Sequence, residues 1–206
     1  MTDAILNVGG VDVSRETFEK LEYFCALIQK WTKSINLIAP TTVPFIWDRH
    51  IVDSAQIFLL APVGWQVWTD LGSGGGLPAV VVAILDQECR PITLIESDQR
   101  KCLFLKTARR ELELNIEVVN ARIEAANVTK SDVLSARALA PLQALLPFAN
   151  QHLMPSGTAL FAKGARFQEE LDDAAEAWQF DLTAHISKTN PDSRILELSR
   201  ISRRES

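Results

Sequence analysis

The sequence predicts an α/β fold with a doubly wound, Rossmann-like parallel sheet, an antiparallel edge and a helical segment in front of it. Three observations predict this fold. From Gln66 onward, apolar strand-like runs alternate with segments of helical length, which is typical of parallel strands joined by crossover helices. The last two strand-like runs are separated by the short turn 190–193, as in an antiparallel hairpin. Before Gln66 the apolar residues follow helical spacing, and no glycine occurs between Gly10 and Gly64.

Residues 1–63 are predicted to form the helical segment, which packs on a main domain formed by residues 64–206. Residues 1–13 show only weak structure-forming patterns. Ser14 can accept a hydrogen bond as an N-cap, and the apolar residues after it recur at helical spacing. The helices predicted in this segment cover residues 14–31, 31–38 and 43–61.

The main domain is predicted to hold a parallel sheet, because its apolar runs are joined by segments long enough to cross over one face. The strands predicted for the parallel part are 66–71, 91–96, 115–120, 132–136 and 157–163. The predicted helices are 79–85, 98–114, 141–152 and 166–178. The strands 180–186 and 194–201 form the predicted antiparallel edge.

Composition sets the broad class of the protein. Of the 206 residues, 47% are apolar and 23% are charged, which is sufficient for a packed core. The formal net charge of −5 argues against a uniformly basic nucleic-acid binder, although it does not exclude a local basic surface. No apolar run approaches the roughly 20 residues of a membrane-spanning helix, and no signal peptide is evident. A cytoplasmic location is therefore expected.

The cysteines and histidines predict neither a disulfide framework nor a metal site. Cys25, Cys89 and Cys102 are odd in number and contain no C-x-x-C pair, so we interpret them as free thiols in a reducing compartment. No cluster of histidine, cysteine and acidic residues has the spacing of metal ligands. His152 and His185 are isolated in the sequence and are assigned no role.

A glycine-rich turn carries the clearest functional signal. The strand 66–71 contains Asp70 and is followed by Gly72, Gly74 and two more glycines, and then by the apolar helix 79–85. Glycines permit positive φ and let a ligand approach the backbone, while the helix start offers free N–H groups. In the dinucleotide pattern G-x-G-x-x-G the third glycine would fall on Leu77. The alternative is a turn that only packs the strand against the helix.

A second acid strengthens the interpretation of the turn as a ligand site. Glu96 ends the next strand, 24 residues after Gly72. In α/β nucleotide-binding folds an acid at this position accepts hydrogen bonds from ribose hydroxyls. The alternatives are a solvent-exposed strand end for Glu96 and a capping or turn acid for Asp70. Turn and acid together predict a nucleoside-containing ligand, without separating S-adenosyl-L-methionine from NAD.

When the helical segment and the main domain are considered together, the chain resembles the bacterial small-subunit rRNA guanine-N7 methyltransferases, the family once called glucose-inhibited division protein B. The resemblance spans nearly the whole chain. It rests on residues 31–37, 49–54 and 70–78, Glu96 with Arg100 and Lys101, residues 122–124 and 135–138, and Lys163 with Gly164. It implies a class I methyltransferase fold, S-adenosyl-L-methionine as cofactor, and N7 of one guanine of 16S rRNA as target. The substrate would be the RNA or the small ribosomal subunit.

The resemblance also assigns cofactor contacts. By matching positions they fall on Gly72, Leu77, Ile123, Glu124 and Arg137. The residues themselves add Asp70 for the ammonium group of the cofactor, Gly74 in the turn and Glu96 for its ribose. The alternative for Ile123 is plain core packing. The alternative for Arg137 is an ion pair with Asp70 or Glu96.

The implied reaction needs no general base, because guanine N7 carries a lone pair and no proton. We therefore predict no catalytic residue, and expect positioning and water exclusion to supply the rate. Cations are candidates for phosphate contacts, although a solvated helix face is the usual explanation for such a run. The candidate RNA-binding residues are His50, Lys101, Lys106, Arg109, Arg110, Lys163, Arg200 and Arg203. Acids gather instead on the helix 166–178.

Two other functions are compatible with the residues alone. One is a methyltransferase that acts on a small metabolite, whose turnover would lack the steep salt dependence of phosphate contacts. The other is a nucleotide-sensing module that binds its ligand without catalysis. The chain is expected to act as a monomer in either case.

Overall fold

A computed structural model of the chain describes residues 5–204. The strands are β1 Leu6–Val8, β2 Val11–Val13, β3 Trp68–Leu71, β4 Ile92–Glu96, β5 Ile116–Asn120, β6 Ser131–Arg137, β7 Leu153–Lys163, β8 Trp178–Ile186 and β9 Arg194–Arg203. The α-helices are α1 Arg15–Thr32, α2 Asp53–Leu59, α3 Ala79–Leu85, α4 Gln99–Leu112, α5 Leu142–His152 and α6 Phe167–Ala175. A 3-10 helix at Pro40–Phe45 and a π-helical turn at Trp47–Val52 precede α2.

The central sheet has the strand order β5-β4-β3-β6-β7-β9-β8. Strands β3 to β7 run parallel to their neighbours, whereas β9 is antiparallel to both β7 and β8. The predicted doubly wound sheet with an antiparallel edge is therefore confirmed. The chain leaves β3 toward β4 on one side and returns through β6 on the other, so the order reverses between β3 and β6. Ligands of such sheets bind beyond the carboxyl ends of the strands at this reversal.

The N-terminal helix and the sheet share one apolar core. Ser14 accepts a hydrogen bond from the N–H of Thr17 at 3.1 Å, so the predicted N-cap of α1 is confirmed. Phe24 of α1 is fully buried and stacks on Phe104 of α4, with 6.3 Å between the ring centroids. The same cluster contains Val80 of α3. The division of the chain into units 1–63 and 64–206 remains a prediction.

The expectation of weak structure in residues 1–13 is wrong for residues 5–13, while residues 1–4 lie outside the described part. Strands β1 and β2 form an antiparallel hairpin. Its turn is Gly9-Gly10, with φ of +64° and +104°. Two positive φ values at a two-residue turn match the right-handed twist of hairpin strands, and this Gly-Gly signal flanked by alternating valines was present in the sequence.

The expected second helix at 31–38 is also wrong. α1 ends at Thr32, and the chain then runs without regular structure to Pro40. Ile35 and Ile38 are buried in this stretch, and the backbone at Leu37 approaches the glycine turn so closely that a Cβ on Gly75 would lie 3.1 Å from the Leu37 oxygen. Packing against the main domain, rather than helix propensity, determines the path here.

Among residues 5–204, no helix is long and apolar enough to cross a membrane. No group of three or more histidine, cysteine or acidic side chains in this part of the chain could hold a metal ion. Cys25, Cys89 and Cys102 are free, as predicted, and Cys89 alone is exposed.

Candidate active site

The glycine turn lies at the point where the strand order reverses. Gly72 and Gly74 both have left-handed backbones, with φ of +61° and +50°, so a side chain at either position would be strained. A Cβ on Gly72 would in addition collide with the side chain of Leu139. The turn is fixed from below by a 3.1 Å hydrogen bond from the N–H of Ser73 to the carbonyl of Ile95 in β4.

Glu96 connects the glycine turn to the start of α4. Its Oε2 accepts from the N–H of Gly74 and its Oε1 from the N–H of Asp98, each at 2.8 Å. Asp98 in turn caps α4 by accepting from the N–H groups of Arg100 and Lys101. Glu96 is 7% exposed, and each carboxylate oxygen keeps a second lone pair for a ligand hydroxyl.

Asp70 is buried beside the turn with only half of its carboxylate satisfied. Its Oδ1 accepts from the hydroxyl of Ser135 at 2.5 Å, and that hydroxyl accepts from the indole N–H of Trp68 at 2.8 Å. Oδ2 has no hydrogen-bond partner among the described residues. Burial raises the pKa of Asp70 to about 6, against the lowering effect of the bonds from Ser135 and Ser73. A cationic group next to Oδ2 would satisfy this oxygen.

The short helix Ile123–Ala125 follows β5 and is held by the end of α5. The ring Nε2 of His152 donates to the carbonyl of Ile123 at 3.0 Å, and the side-chain amide of Gln151 donates to the carbonyl of Glu124 at 3.3 Å. His152 is 2% exposed. No role for His152 is predicted from the sequence, because nothing in the chain order shows that α5 ends beside this turn. Leu77, also buried, closes the glycine turn before α3.

Arg137 joins the end of β6 to the N-terminal segment. Its guanidinium donates to His50 Nδ1 at 2.7 Å and to the carbonyl of Arg49 at 3.3 Å, and it lies 3.6 Å from Asp53 Oδ2. The ion-pair partner is therefore Asp53, and not Asp70 or Glu96 as the sequence alternative supposed. The register of the N-terminal segment against β6 could not be read from spacing.

His50 is a neutral acceptor in this network. Burial, together with the charge of Arg137, lowers the pKa of His50 to about 4. A neutral ring that accepts at Nδ1 carries its proton on Nε2, which lies 2.9 Å from the hydroxyl of Thr42 and can donate to it. Asp53 accepts from the hydroxyls of Ser187 and Thr189 as well, so this network also holds the turn between β8 and β9.

These side chains border a cavity of about 410 Å³ at the carboxyl ends of the strands. His50 and Asp53 line its N-terminal wall, and Arg137, Lys163 and Arg194 line the wall formed by β6, β7 and β9. The walls are of mixed polarity, with both carboxylate and cationic groups. The cavity lies between the N-terminal segment and the ends of β6, β7 and β9, and the residues of the glycine turn do not line it.

The profile of the family described as rRNA small subunit methyltransferase G, or GidB, matches residues 17–195. The chain belongs to this family. The ribosomal RNA small subunit methyltransferase G of Ruegeria sp. (strain TM1040) is 47% identical over 196 residues, which cover 94% of this chain and 95% of that protein. The protein of the same name from Rhizobium meliloti (strain 1021) is 45% identical over 204 residues, covering 96% and 95%.

Solved structures share the fold of this methyltransferase G family member at low sequence identity. The ribosomal protein L11 methylase from Lactobacillus delbrueckii subsp. bulgaricus superposes with a TM-score of 0.57 at 20% identity, covering 76% of this chain and 79% of that one. M. jannaschii TYW2 in complex with AdoMet superposes with a TM-score of 0.58 at 13% identity, covering 98% and 87%. The fold is the class I methyltransferase fold.

The candidate RNA-binding cations of this methyltransferase G family member fall into different regions. Lys101 lies in the first turn of α4, close to Glu96, whereas Arg109 and Arg110 lie in its last turn, about 12–14 Å further along the helix axis. Arg200 and Arg203 lie toward the end of β9 that pairs with the start of β8, away from the cavity. Lys106 lines a shallow groove with Arg109 and Arg110. The cavity thus brings together only part of the predicted set.

Lys163 differs from the other candidate cations because it is buried. Its side chain is 6% exposed and forms a 2.7 Å ion pair with Glu170 of α6. Its ammonium also donates to the carbonyl of Ala140 at 2.5 Å. From the sequence, Glu170 is only one of the acids gathered on the helix 166–178, and no spacing indicates this pair.

Proposed function

We propose that this protein transfers a methyl group from S-adenosyl-L-methionine to N7 of a specific guanine in 16S rRNA, in the free RNA or in the small ribosomal subunit. One observation carries the cofactor assignment. Asp70 has a buried carboxylate oxygen without a partner among residues 5–204, and it lies in the strand that leads into a turn of left-handed glycines. An ammonium group fits that oxygen, and the cofactor's amino-acid tail carries one.

The remaining cofactor contacts follow from the placement of the other side chains. Glu96 would accept from the ribose hydroxyls through its free lone pairs, since its occupied ones hold the glycine turn in place. The short helix with Ile123 and Glu124 would meet the adenine edge, with Leu77 against the ring. Gly72 and Gly74 would allow the close approach of the tail. His152 would keep the adenine-facing turn in place.

The bound cofactor supplies an electrophilic methyl group, and the protein has only to align N7 with it. N7 needs no deprotonation, so no general base is required. The methylated guanine is cationic, and therefore a surplus of positive charge near N7 would oppose the reaction. The network at the cavity limits that surplus, because Asp53 balances Arg137 and His50 stays neutral. Arg137 would position the cofactor or the base without adding net charge.

We propose that RNA reaches the cavity across its cationic rim. His50 and Lys101 are the predicted contacts closest to the site, and Lys106, Arg109, Arg110, Arg200 and Arg203 would extend the contact over the surface. The target base must be unpaired or flipped out, because stacking in a duplex hides its reactive edge from the site. We expect a cytoplasmic monomer.

The test is methyl transfer from labelled S-adenosyl-L-methionine to 16S rRNA and to small subunits from cells that lack the enzyme. We expect label in 7-methylguanosine at one position, with a rate that falls steeply as salt rises. Asp70→Asn is the matched control, because it should weaken cofactor binding at least about tenfold without altering the RNA surface. Label in a different nucleotide would disprove the proposed chemistry. Absence of label with intact cofactor binding would favour a small-metabolite enzyme or a sensor.

A further inference from the structure

The loop between β6 and α5, residues 138–141, covers the first glycine of the turn. Ala138 has a left-handed backbone with φ of +52°, and the next residue, Leu139, lies against Gly72. Leu139 is 36% exposed, so packing holds its side chain on one side only. Its position over the glycine turn therefore depends on how the backbone of this loop is held.

One buried ion pair holds the loop from behind. Lys163, the last residue of β7, donates to the carbonyl of Ala140 at 2.5 Å and pairs with Glu170 at 2.7 Å. The same oxygen of Glu170, Oε2, accepts from the N–H of Leu142 at 2.8 Å, where α5 begins. Lys163 thus bonds to the carbonyl of Ala140, and its ion-pair partner Glu170 bonds to the N–H of Leu142.

We infer that Glu170 is a positioning residue for methyl transfer: through Lys163 and the Leu142 N–H it holds the 138–141 loop in place over the glycine turn. This inference rests on the proposed function, because it concerns the same site. A displacement of about 1 Å at a reacting centre can lower a rate about 100-fold, so a device that fixes this loop has a direct effect on turnover.

Burial separates this role from a phosphate contact by Lys163. An ammonium group that is 6% exposed and bonded to a carboxylate and a carbonyl would have to leave both partners to reach an RNA phosphate. It would also leave the Glu170 carboxylate without its counter-charge in a partly buried position. The geometry therefore assigns Lys163 to the loop, in place of the RNA contact predicted from the sequence.

The first experiment compares Glu170→Ala and Glu170→Gln with Glu169→Gln, a control at the exposed neighbouring acid of the same helix. We expect Glu170→Ala to lower kcat about 10- to 100-fold while KM for rRNA stays within about twofold. Hydrogen exchange of the cofactor-free protein should show faster exchange at the Leu142 N–H. Glu170→Gln should lower kcat less than Glu170→Ala does, because the amide oxygen of glutamine still accepts from the N–H of Leu142. Wild-type kinetics in Glu170→Ala would overturn the inference.

A second set of variants separates positioning from RNA binding. Lys163→Met should lower kcat like Glu170→Ala, and the dependence of kcat/KM on salt should keep its wild-type slope. If Lys163→Met lowered the slope of log kcat/KM against log salt concentration by about 1, and turnover in Glu170→Ala stayed normal, Lys163 would be a phosphate contact. That result would overturn the inference.

The double variant Lys163→Met with Glu170→Gln leaves no unpaired buried charge, so it carries the test if Glu170→Ala does not fold. This double variant should fold and should show the same lowered kcat. Wild-type turnover in the double variant would overturn the inference. If wild-type protein failed to methylate rRNA while Glu170→Ala still freed the Leu142 N–H, the proposed function would fail and the role of the pair in holding the loop would stand.

Discussion

At the scale of single residues, Asp70 has an electrostatic cost in the folded protein. Its Oδ2 is buried and has no partner among the described residues, which is unfavourable, and the raised pKa of Asp70 reflects that cost. The adjoining bond from Ser135 lowers the cost only in part. Proteins tolerate such groups at functional sites because the ligand removes the cost when it binds.

The first prediction concerns the stability of Asp70→Asn. Folding favours the protonated carboxyl here, because the folded pKa of about 6 exceeds the ordinary value of 3.8. The destabilising effect is therefore complete above pH 6 and disappears as the pH falls toward 4. Two pKa units correspond to about 2–3 kcal/mol. Because the uncharged asparagine lacks this effect, the cofactor-free variant should equal or exceed wild type in unfolding free energy at pH 7.5, and about half of that advantage should be lost at pH 5.

Urea unfolding of both proteins at the two pH values measures this difference, and calorimetry with S-adenosyl-L-methionine measures binding. Binding at pH 7.5 should weaken at least about tenfold, as expected for the loss of a charge-assisted hydrogen bond to a buried group. Glu169→Gln, an exposed acid, is the control for loss of one charge. A stability difference that does not change with pH would contradict the argument from the pKa of Asp70.

The second prediction uses His50 as a reporter of Arg137. The charge of Arg137 helps burial to lower the pKa of His50 to about 4, so Arg137→Ala should raise that pKa. Turnover should fall about 100-fold, because both the cofactor side and the base side lose a positioning group. An NMR titration of the His50 ring measures the pKa, and the ring of His185 serves as control. An unchanged titration of His50 would show that Arg137 does not contact it in solution.

At the scale of secondary-structure elements, the sequence predicted the parts whose pattern is local. The strands and helices of the main domain follow from alternating apolar runs. Ser14 and Asp98 each cap a helix, because their side chains accept hydrogen bonds from N–H groups of its first turn. The path of residues 33–39 could not be predicted, because it follows the surface of the glycine turn. The contact of His152 with the short helix Ile123–Ala125 could not be predicted either, since α5 and the end of β5 meet only in the folded chain.

The third prediction tests whether α5 positions the turn at Ile123–Ala125. His152→Ala removes the donor to the carbonyl of Ile123, which keeps only the 3.3 Å bond from the N–H of Ala126, at a cost of about 0.5–1.5 kcal/mol in unfolding free energy. If this turn meets the adenine, KM for S-adenosyl-L-methionine should rise about tenfold while KM for rRNA is unchanged. His185→Ala, at the edge of the sheet on β8, is the control. Equal effects on both KM values would indicate general destabilisation instead.

At the scale of the whole molecule, the sheet determines which charged groups share the site. Parallel strands bring their carboxyl ends to one edge, so Glu96 and Arg137 meet there although 41 positions separate them. The prediction that an acidic protein presents a local basic surface depended on helical spacing and on where charges gather along the chain. These could not show that Lys163 is buried against Glu170, nor that Arg203 lies about 30 Å from Arg194 along β9.

The last prediction measures how far the RNA contact extends. Arg49 and Arg203 are both exposed arginines, but the carbonyl of Arg49 accepts from Arg137 at the cavity, and Arg203 lies at the far end of β9. On a short RNA that carries the target guanine, Arg49→Ala should lower the slope of log kcat/KM against log salt concentration by about 1, because one phosphate contact is lost. Arg203→Ala should match wild type. On intact small subunits, Arg203→Ala should also lower this slope by about 1, if the RNA follows the surface to β9. Equal slopes for both variants on the short RNA would mean that the substrate does not enter beside His50.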